Sequence, residues 1–232
     1  MTQGIRIIVT KSTMGDVNCY LLEAGGGFIL VDTGYSTSCA SLENELDKAG
    51  CKPGNLRLAV LTHGDIDHTG NCAYLQKKYG VKVAMHGDDM GMAEHGDMSY
   101  NRSSNPILSM ALRRMPLIFR VISLFSRSSK YEGYKPDFLV GEGFGLSSYG
   151  INAKVVHIPG HSKGSIGVLT EDGNLFCGDL LTNMDKPALN AIMDDRAAAN
   201  ASVEKLKSFS IATVYPGHGK PFQWGPFANS LV

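Results

Sequence analysis

The sequence lacks the features that mark disulfide-rich, nucleic-acid-binding or secreted proteins. Its five cysteines are odd in number, widely separated and without a CxxC pair, which argues against a disulfide framework or a cysteine-type zinc site. The charges of its 22 basic and 22 acidic residues cancel, so the net charge gives no attraction to nucleic acid or to an anionic membrane. The first residues, MTQGIRIIVTK, lack the basic and then apolar build of a signal peptide, which indicates a cytoplasmic protein.

Hydrophobic residues make up 43% of the 232 positions, enough to fill a core. Short apolar runs rich in β-branched residues and bounded by glycine predict strands: RIIVTK, CYLLEA, FILVDTG, LRLAVLTH, VKVAMH, AKVVHIPGH, SIGVLTED, NLFCGDLL and ATVYPGHG. Helical spacing appears in STSCASLENELDKAG, NCAYLQKKYG and ASVEKLKSF. Many strands with few helices between them predict an αββα sandwich, in which two sheets pack face to face with helices outside.

One segment differs in composition from the rest of the chain. Residues 105–130, NPILSMALRRMPLIFRVISLFSRSSK, contain five basic residues and no acidic one, and six of the ten methionines lie between Met85 and Met115. Thioether side chains suit adaptable apolar surfaces. Three interpretations are open: a cap over an active site, a helical pair lying on the core, or a membrane-surface contact. We predict a single domain over residues 1–232 with a helical, cap-like insertion at about 87–135.

Polar residues with ligand chemistry stand at the ends of the predicted strands. The stretch 61–71, LTHGDIDHTGN, follows the apolar run LRLAVL and places two histidines and two aspartates within six positions. Four other strand ends carry one such residue each: Asp32 in VDTG, His161 in IPGHS, Asp179 in FCGD and His218 in YPGHG. Loops at one edge of a sheet bring distant residues together, and imidazole and carboxylate groups bind zinc, iron or manganese. The sequence therefore predicts a metal site at this edge.

The motifs VDTG, THxxxDH, PGHS, GD and PGHG follow one another over residues 17–222. In this order and at these separations they resemble the metallo-β-lactamase superfamily. The resemblance implies a sandwich of two mixed β-sheets flanked by helices. It also implies a cofactor of two divalent metal ions, with zinc as the first expectation and iron or manganese as alternatives. Hydrolytic members attack a small-molecule substrate with a hydroxide held between the metals.

The resemblance assigns a role to each matching position. The first metal would be held by His63, Asp65 and His161, the second by Asp67, His68 and His218, and Asp179 would bridge them. Asp67 would be the catalytic residue that orients the hydroxide and handles its proton. Asp32 would orient the ligands through hydrogen bonds without touching a metal.

The sequence departs from the family's HxHxDH pattern at Asp65, where hydrolases carry a second histidine. If Asp65 coordinates, this harder, anionic ligand favours iron or manganese relative to zinc. If its shorter side chain does not reach, the first site is weak or empty. As a third possibility, the site is degenerate and the protein is a non-catalytic metal binder. Flavodiiron oxygen and nitric oxide reductases also carry a carboxylate at this position, so a di-iron oxidoreductase is an alternative. Only about ten residues follow PGHGKPF, so we expect no flavin domain.

The expected substrate is an ester, thioester or lactone, or a small phosphodiester. Glutathione thioesters are disfavoured, because family members that use them grip glutathione with a C-terminal extension and few residues follow PGHGKPF. We expect no nucleic-acid partner and no stable membrane insertion, while a homodimer is compatible with the sequence. His86, Asp88 and Asp89 follow VKVAMH, where we expect a solvated loop, with lining of the pocket as the alternative.

Overall fold

The computed structural model describes residues 4–13, 15–97, 100 and 132–230. The described strands are β1 (Ile5–Thr10), β2 (Val17–Ala24), β3 (Gly27–Val31), β4 (Leu56–Val60), β5 (Lys82–Met85), β6 (Phe138–Leu139), β7 (Ala153–His157), β8 (Ile166–Thr170), β9 (Asn174–Asn183), β10 (Ala188–Leu189), β11 (Thr213–Gly219) and β12 (Phe222–Gln223). The described helices are α1 (Cys39–Lys48), α2 (Ile66–Thr69), α3 (Cys72–Tyr79), α4 (Met90–His95), α5 (Arg196–Leu206) and α6 (Trp224–Ser230).

The strands form two mixed sheets, as predicted. The first sheet has the order β1-β2-β3-β4-β5-β6, antiparallel from β1 to β3 and parallel from β3 to β6. The second has the order β12-β11-β9-β8-β7 with β10 beside β9; β11 and β9 are parallel, and its other described pairs are antiparallel. Because β3, β4 and β5 are parallel, the loops that follow them lie at one edge of the first sheet.

Three buried apolar clusters define the layers. On the outer face of the first sheet, Leu42 of α1 and Leu75 of α3 share a cluster with Leu30 of β3. A second cluster lies between the sheets and joins β3 and β4 to β7, β8 and β9. A third cluster packs Val203 of α5 and Trp224 of α6 against the second sheet. The order helix, sheet, sheet, helix confirms the predicted αββα sandwich, since each sheet buries both faces.

The helix ends show which local signals were readable in the sequence. α1 and α3 end just before glycines in the left-handed conformation, Gly50 (φ 85°) and Gly80 (φ 63°), as their spacing predicted. The predicted helix at 201–209 instead begins at Arg196 and ends at Leu206. Its true start is set by the carboxylate of Asp195, which accepts hydrogen bonds from two backbone N–H groups of the first turn.

The cap-like insertion predicted at about 87–135 lies mostly outside the described residues, and segment 105–130 lies wholly outside them. Its described start is a 3₁₀ turn at Gly87–Asp89, followed by α4. None of the helices in the described ranges is both long and apolar enough to cross a membrane. All five cysteines are described and each is a free thiol.

Candidate metal centre

The stretch that follows β4 forms a tight loop and then the one-turn helix α2. Asp65 caps this helix in an extended conformation (φ −70°, ψ 144°), and Asp67 and His68 lie within it. The loop after β7 carries His161 from the second sheet. Residues from both sheets therefore meet at one edge of the sandwich.

Asp179 and His218 lie inside strands, whereas the sequence predicted them after strand ends. β9 continues through Gly178 to Asn183, and β11 continues through the PGHG motif to Gly219. The register between the two strands shifts on both sides of Pro216, and Gly178 has φ 50°. Bulges of this kind bend a strand and redirect its side chains. Both side chains thus reach the site without the strands ending there.

The structure brings the seven predicted ligands together. Ligand atoms lie within 4.8 Å of one another in three overlapping groups: His63, Asp65 and His161; His63, His68 and Asp179; and Asp67, His68 and His218. We call His63, Asp65 and His161 the first group, and Asp67, His68 and His218 the second group.

The structure places Asp65, whose reach the sequence left open, and Asp179, the expected bridging residue, beside histidine Nε2 atoms. Asp65 Oδ2 lies 3.0 Å from His161 Nε2 and 3.7 Å from His63 Nε2, so the aspartate reaches the first group despite its length. Asp179 Oδ1 lies 3.3 Å from His68 Nε2, and its Oδ2 lies 3.2 Å from His218 Nε2. Through the shared His63–His68–Asp179 cluster, Asp179 stands between the two groups.

The four histidines of the site share one orientation. Each Nδ1 contacts an oxygen: Thr62 Oγ1 for His63 (2.9 Å), Asp32 Oδ2 for His68 (2.8 Å), the Ile192 carbonyl for His161 (2.8 Å) and the Asp16 carbonyl for His218 (2.8 Å). The Thr62 hydroxyl donates to Asp32 Oδ2, so it accepts from the His63 ring. An oxygen acceptor at Nδ1 places the proton there and leaves the Nε2 lone pair for a metal. In each ring, Nε2 points at a carboxylate of the site.

Asp32 holds the start of the ligand loop. Its Oδ1 accepts a hydrogen bond from the Thr62 backbone N–H at 2.8 Å, and its Oδ2 accepts from the Thr62 hydroxyl and from His68 Nδ1. Asp32 is the one non-glycine residue with positive φ (59°) in the described part of the chain. Its carboxylate contacts His68 directly and His63 through Thr62.

The electrostatics of the two groups differ. Burial lowers the pKa of His63 well below its usual value, and the neighbouring imidazoles lower it further. Burial also lowers the pKa of His68, but the surrounding carboxylates, Asp179 first, outweigh burial and raise it well above its usual value. For His218, hydrogen bonds to Asp179 and Asp67 outweigh burial and raise the pKa to about 10. The carboxylates therefore favour positive charge at the second group, and a divalent cation provides such charge.

The donor set fits a divalent metal. Among the described residues, His63 Nε2, His68 Nε2 and Asp179 Oδ1 are buried and make no hydrogen bond. Buried polar atoms normally have partners, and these three atoms belong to one convergent cluster. Imidazole nitrogens mixed with carboxylate oxygens suit zinc, iron or manganese.

A further group, His86, Asp88 and His157, also has ligand atoms within 4.8 Å of one another. Its two imidazoles are stacked, with ring centroids 4.3 Å apart and planes 3° apart. The lone pairs of parallel rings do not converge on one ion, so we assign no metal to this group. Asp88 has a side chain that is 59% exposed, in agreement with the predicted solvated loop.

Asp89 contradicts that prediction, because it is only 1% exposed. Its Oδ2 accepts hydrogen bonds from the Gly64 backbone N–H (3.0 Å) and the Ser162 hydroxyl (2.6 Å), and its Oδ1 accepts from the Gly164 backbone N–H (2.9 Å). These donors lie in the loops after β4 and β7, far from Asp89 in sequence. No local pattern could have indicated them.

Tyr35 is a second residue that the sequence patterns did not indicate. Burial first, and the negative charge of Asp67 second, raise the pKa of its phenol to about 12. The phenol is therefore protonated near neutral pH. The available signal was its position directly after the VDTG motif.

Comparisons with known proteins identify the family of this chain. A family model described as the metallo-beta-lactamase superfamily matches residues 12–218. The "Beta-lactamase-like protein 2 homolog" of Drosophila melanogaster is 25% identical over 207 residues, which cover 89% of this chain and 60% of the fly protein. The chain thus spans less than two thirds of that relative. The "Acyl-coenzyme A thioesterase MBLAC2" of Bos taurus is 24% identical over 219 residues, covering 88% of this chain and 74% of the bovine protein.

Solved structures resemble the fold. The crystal structure of a metallo-beta-lactamase family protein from Thermus thermophilus superposes with a TM-score of 0.73 and 22% sequence identity. The superposition covers 98% of this chain and 78% of the Thermus chain. It supports the sandwich architecture.

Proposed function

Because the chain belongs to the metallo-beta-lactamase superfamily, we propose that it is a metal-dependent hydrolase with a dinuclear site. His63, Asp65 and His161 would hold one metal, and Asp67, His68 and His218 would hold the other. Asp179, which lies between His68 and His218, would be shared by the two sites. The observation that carries this proposal is the shared orientation of the four imidazoles. Each one has its Nδ1 on an oxygen and its Nε2 turned toward a carboxylate.

Divalent metals, when bound, supply Lewis acidity and lower the pKa of a coordinated water toward neutrality. Asp67 is the residue that receives a proton in this scheme. Its Oδ2 lies 3.5 Å from His218 Nε2, and its side chain is 19% exposed, so it stands at the open side of the second group.

The proposed substrate is an ester, thioester or lactone with an apolar acyl portion. Ile192, whose carbonyl oxygen contacts His161 Nδ1, is 64% exposed, and Met184, which follows β9 directly, is 68% exposed. Exposed apolar side chains beside a polar site suit a substrate that is apolar at one end. The name of the bovine relative, a thioesterase, favours a thioester. A small phosphodiester is the alternative substrate.

The first test is metal analysis of protein purified without added metal. We expect about two equivalents of transition metal per chain, since a site with this many ligands retains its metal. The carboxylate of Asp65 leaves zinc, iron and manganese as candidates. His161→Ala should lose one equivalent, while His95→Ala, at an exposed position outside the site, should lose none. Less than about half an equivalent in the wild-type protein would contradict the proposal.

The second test is a substrate panel of acyl-coenzyme A and glutathione thioesters, lactones, carboxylic esters and phosphodiesters. We expect hydrolysis of at least one acyl substrate, and loss of that activity in His161→Ala but not in His95→Ala. Iron in both sites with no hydrolysis, together with oxygen or nitric oxide consumption from a reduced donor, would instead identify an oxidoreductase. Two bound metals with neither activity would identify a binding protein.

A further inference from the structure

We propose that Asp89 is the positioning residue of the first metal group. It fixes the loop after β4 against the loop after β7 and so sets the spacing of His63 and Asp65 relative to His161. This inference rests on the proposed function, because it concerns the site that would hold the first metal.

Two of the residues that donate hydrogen bonds to Asp89 are direct sequence neighbours of first-group ligands. Gly64, which donates its backbone N–H to Asp89 Oδ2 at 3.0 Å, lies between His63 and Asp65 in the chain. Ser162, which donates its hydroxyl to the same oxygen at 2.6 Å, directly follows His161. A displacement of this carboxylate would therefore move both loops that carry first-group ligands.

The two loops belong to different sheets. β4 lies in the first sheet and β7 in the second, so the first group depends on how the sheets sit against each other at this edge. Near these loops a backbone hydrogen bond also joins the two sheets, from the Ile166 N–H to the Thr62 carbonyl oxygen at 2.8 Å. Asp89 adds three hydrogen bonds, all to a buried carboxylate. Hydrogen bonds to a charged acceptor are stronger than those between neutral groups.

The position of Asp89 is sterically defined as well. A Cβ atom added to Gly164 would lie 2.6 Å from both Cγ and Oδ1 of Asp89. The loop after β7 therefore approaches the carboxylate as closely as a glycine allows. Ser162 is held in turn by Ser165, whose Oγ accepts from the Ser162 backbone N–H at 3.0 Å. The network leaves little freedom for the first group to open.

The second group is supported from elsewhere. Asp32 binds His68 directly, and the Asp16 carbonyl binds His218. The contacts of Asp89 instead lie in the turn before Asp65 and in the loop of His161. Loss of Asp89 should therefore weaken the two metal sites unequally, which a general loss of stability would not do.

Zinc titration of single-site backgrounds tests this asymmetry. His218→Ala keeps all ligands of the first group, and His161→Ala keeps all ligands of the second. Adding Asp89→Ala to His218→Ala should raise the zinc dissociation constant about 10–100-fold, the usual range for partners that orient metal ligands. Adding it to His161→Ala should change the constant by less than about threefold. Asp88→Ala, the exposed neighbour, is the matched control and should change neither constant.

Two milder variants keep the test decisive if Asp89→Ala does not fold. Asp89→Asn preserves the shape but turns an N–H₂ group toward a donor, and Ser162→Ala removes one of the three hydrogen bonds. Both should weaken zinc binding in the first-group background alone, while the thermal midpoint of the metal-free protein falls equally in both backgrounds. Equal weakening in the two backgrounds, or no weakening in the first, would overturn the inference. Wild-type protein that binds none of zinc, iron and manganese would overturn the proposed function instead.

Discussion

Asp32 accepts a hydrogen bond from Nδ1 of His68 at 2.8 Å while its own backbone is left-handed, with φ 59°. A non-glycine residue in this conformation costs on the order of 1–3 kcal/mol and persists only where its surroundings enforce it. Here the Thr62 backbone and hydroxyl bind the same carboxylate. The strained backbone of Asp32 thus lies beside the candidate ligands. Its carboxylate sets the direction of the His68 ring.

Replacing Asp32 should damage both folding and metal binding. Asp32→Ala leaves the buried donors of Thr62 and His68 without an acceptor, which should lower the free energy of unfolding by about 1–3 kcal/mol for each donor. It should also weaken zinc binding to the second group about 10–100-fold. Urea denaturation of the metal-free protein and zinc titration measure the two effects. Asp32→Asn tolerates the left-handed backbone and keeps one acceptor, so it should show a smaller loss; unchanged stability of Asp32→Ala would refute this role.

Substitution of Asp65 tests whether its carboxylate binds a metal. Asp65→Ala should lose one metal equivalent and most activity. Asp65→His should keep two metals and shift the preference toward zinc, because imidazole is softer and uncharged. A neutral ligand leaves more positive charge on the metals, so the onset of hydrolysis should move to lower pH. Metal analysis and pH–rate profiles measure these effects. Changes in Asp65→Ala below about two- to threefold would mean that the carboxylate is no ligand.

Gly217 is required where β11 passes the candidate bridging residue. A Cβ atom added there would collide with Asp179 Oδ1 and lie 2.6 Å from His68 Cε1. Gly217→Ala should therefore displace Asp179 and reduce bound metal to about one equivalent or less, with loss of activity. Gly225→Ala is the control, because its Cβ would meet nothing within 4 Å and it lies within α6. That variant should keep its metal and be slightly more stable, by up to about 1 kcal/mol.

Asp137 lies outside the candidate metal centre, and its carboxyl makes the free energy of unfolding depend on pH. Burial raises the pKa of its carboxyl, but hydrogen bonds from Lys82, the Val83 backbone and Gln76 lower it more, so the net shift is downward. A depressed pKa contributes stability above the unfolded value of about 3.9 and loses it as the pH falls through the folded value.

Asp137→Asn should consequently be less stable than the wild-type protein at pH 7, and the difference should shrink below about pH 4. Urea denaturation of metal-free protein at several pH values measures this difference. Asp185→Asn, at an exposed loop position, controls for the loss of charge alone. A stability difference that stays constant from pH 7 to about pH 3 would show that the Asp137 interactions are not ionic.

The chemistry of the candidate site was readable from the chain. Glycine-bounded apolar runs predicted the strands, because burial on both faces demands continuous apolar segments. The motifs around Asp32, His63, His161 and His218 predicted which residues carry ligand groups. Residue type and spacing are local properties, so a single sequence records them directly.

The tertiary structure decided what depends on partners from elsewhere in the chain. Asp65 reaches the first group because the loop after β7 brings His161 within 3.0 Å of it. Asp89 is buried because donors from two sheets surround it. His63 and His68 are five residues apart in the chain, yet the pKa of the first falls and that of the second rises. Neither direction follows from the sequence, because the balance between burial and carboxylate charge is set by the packing of distant strands.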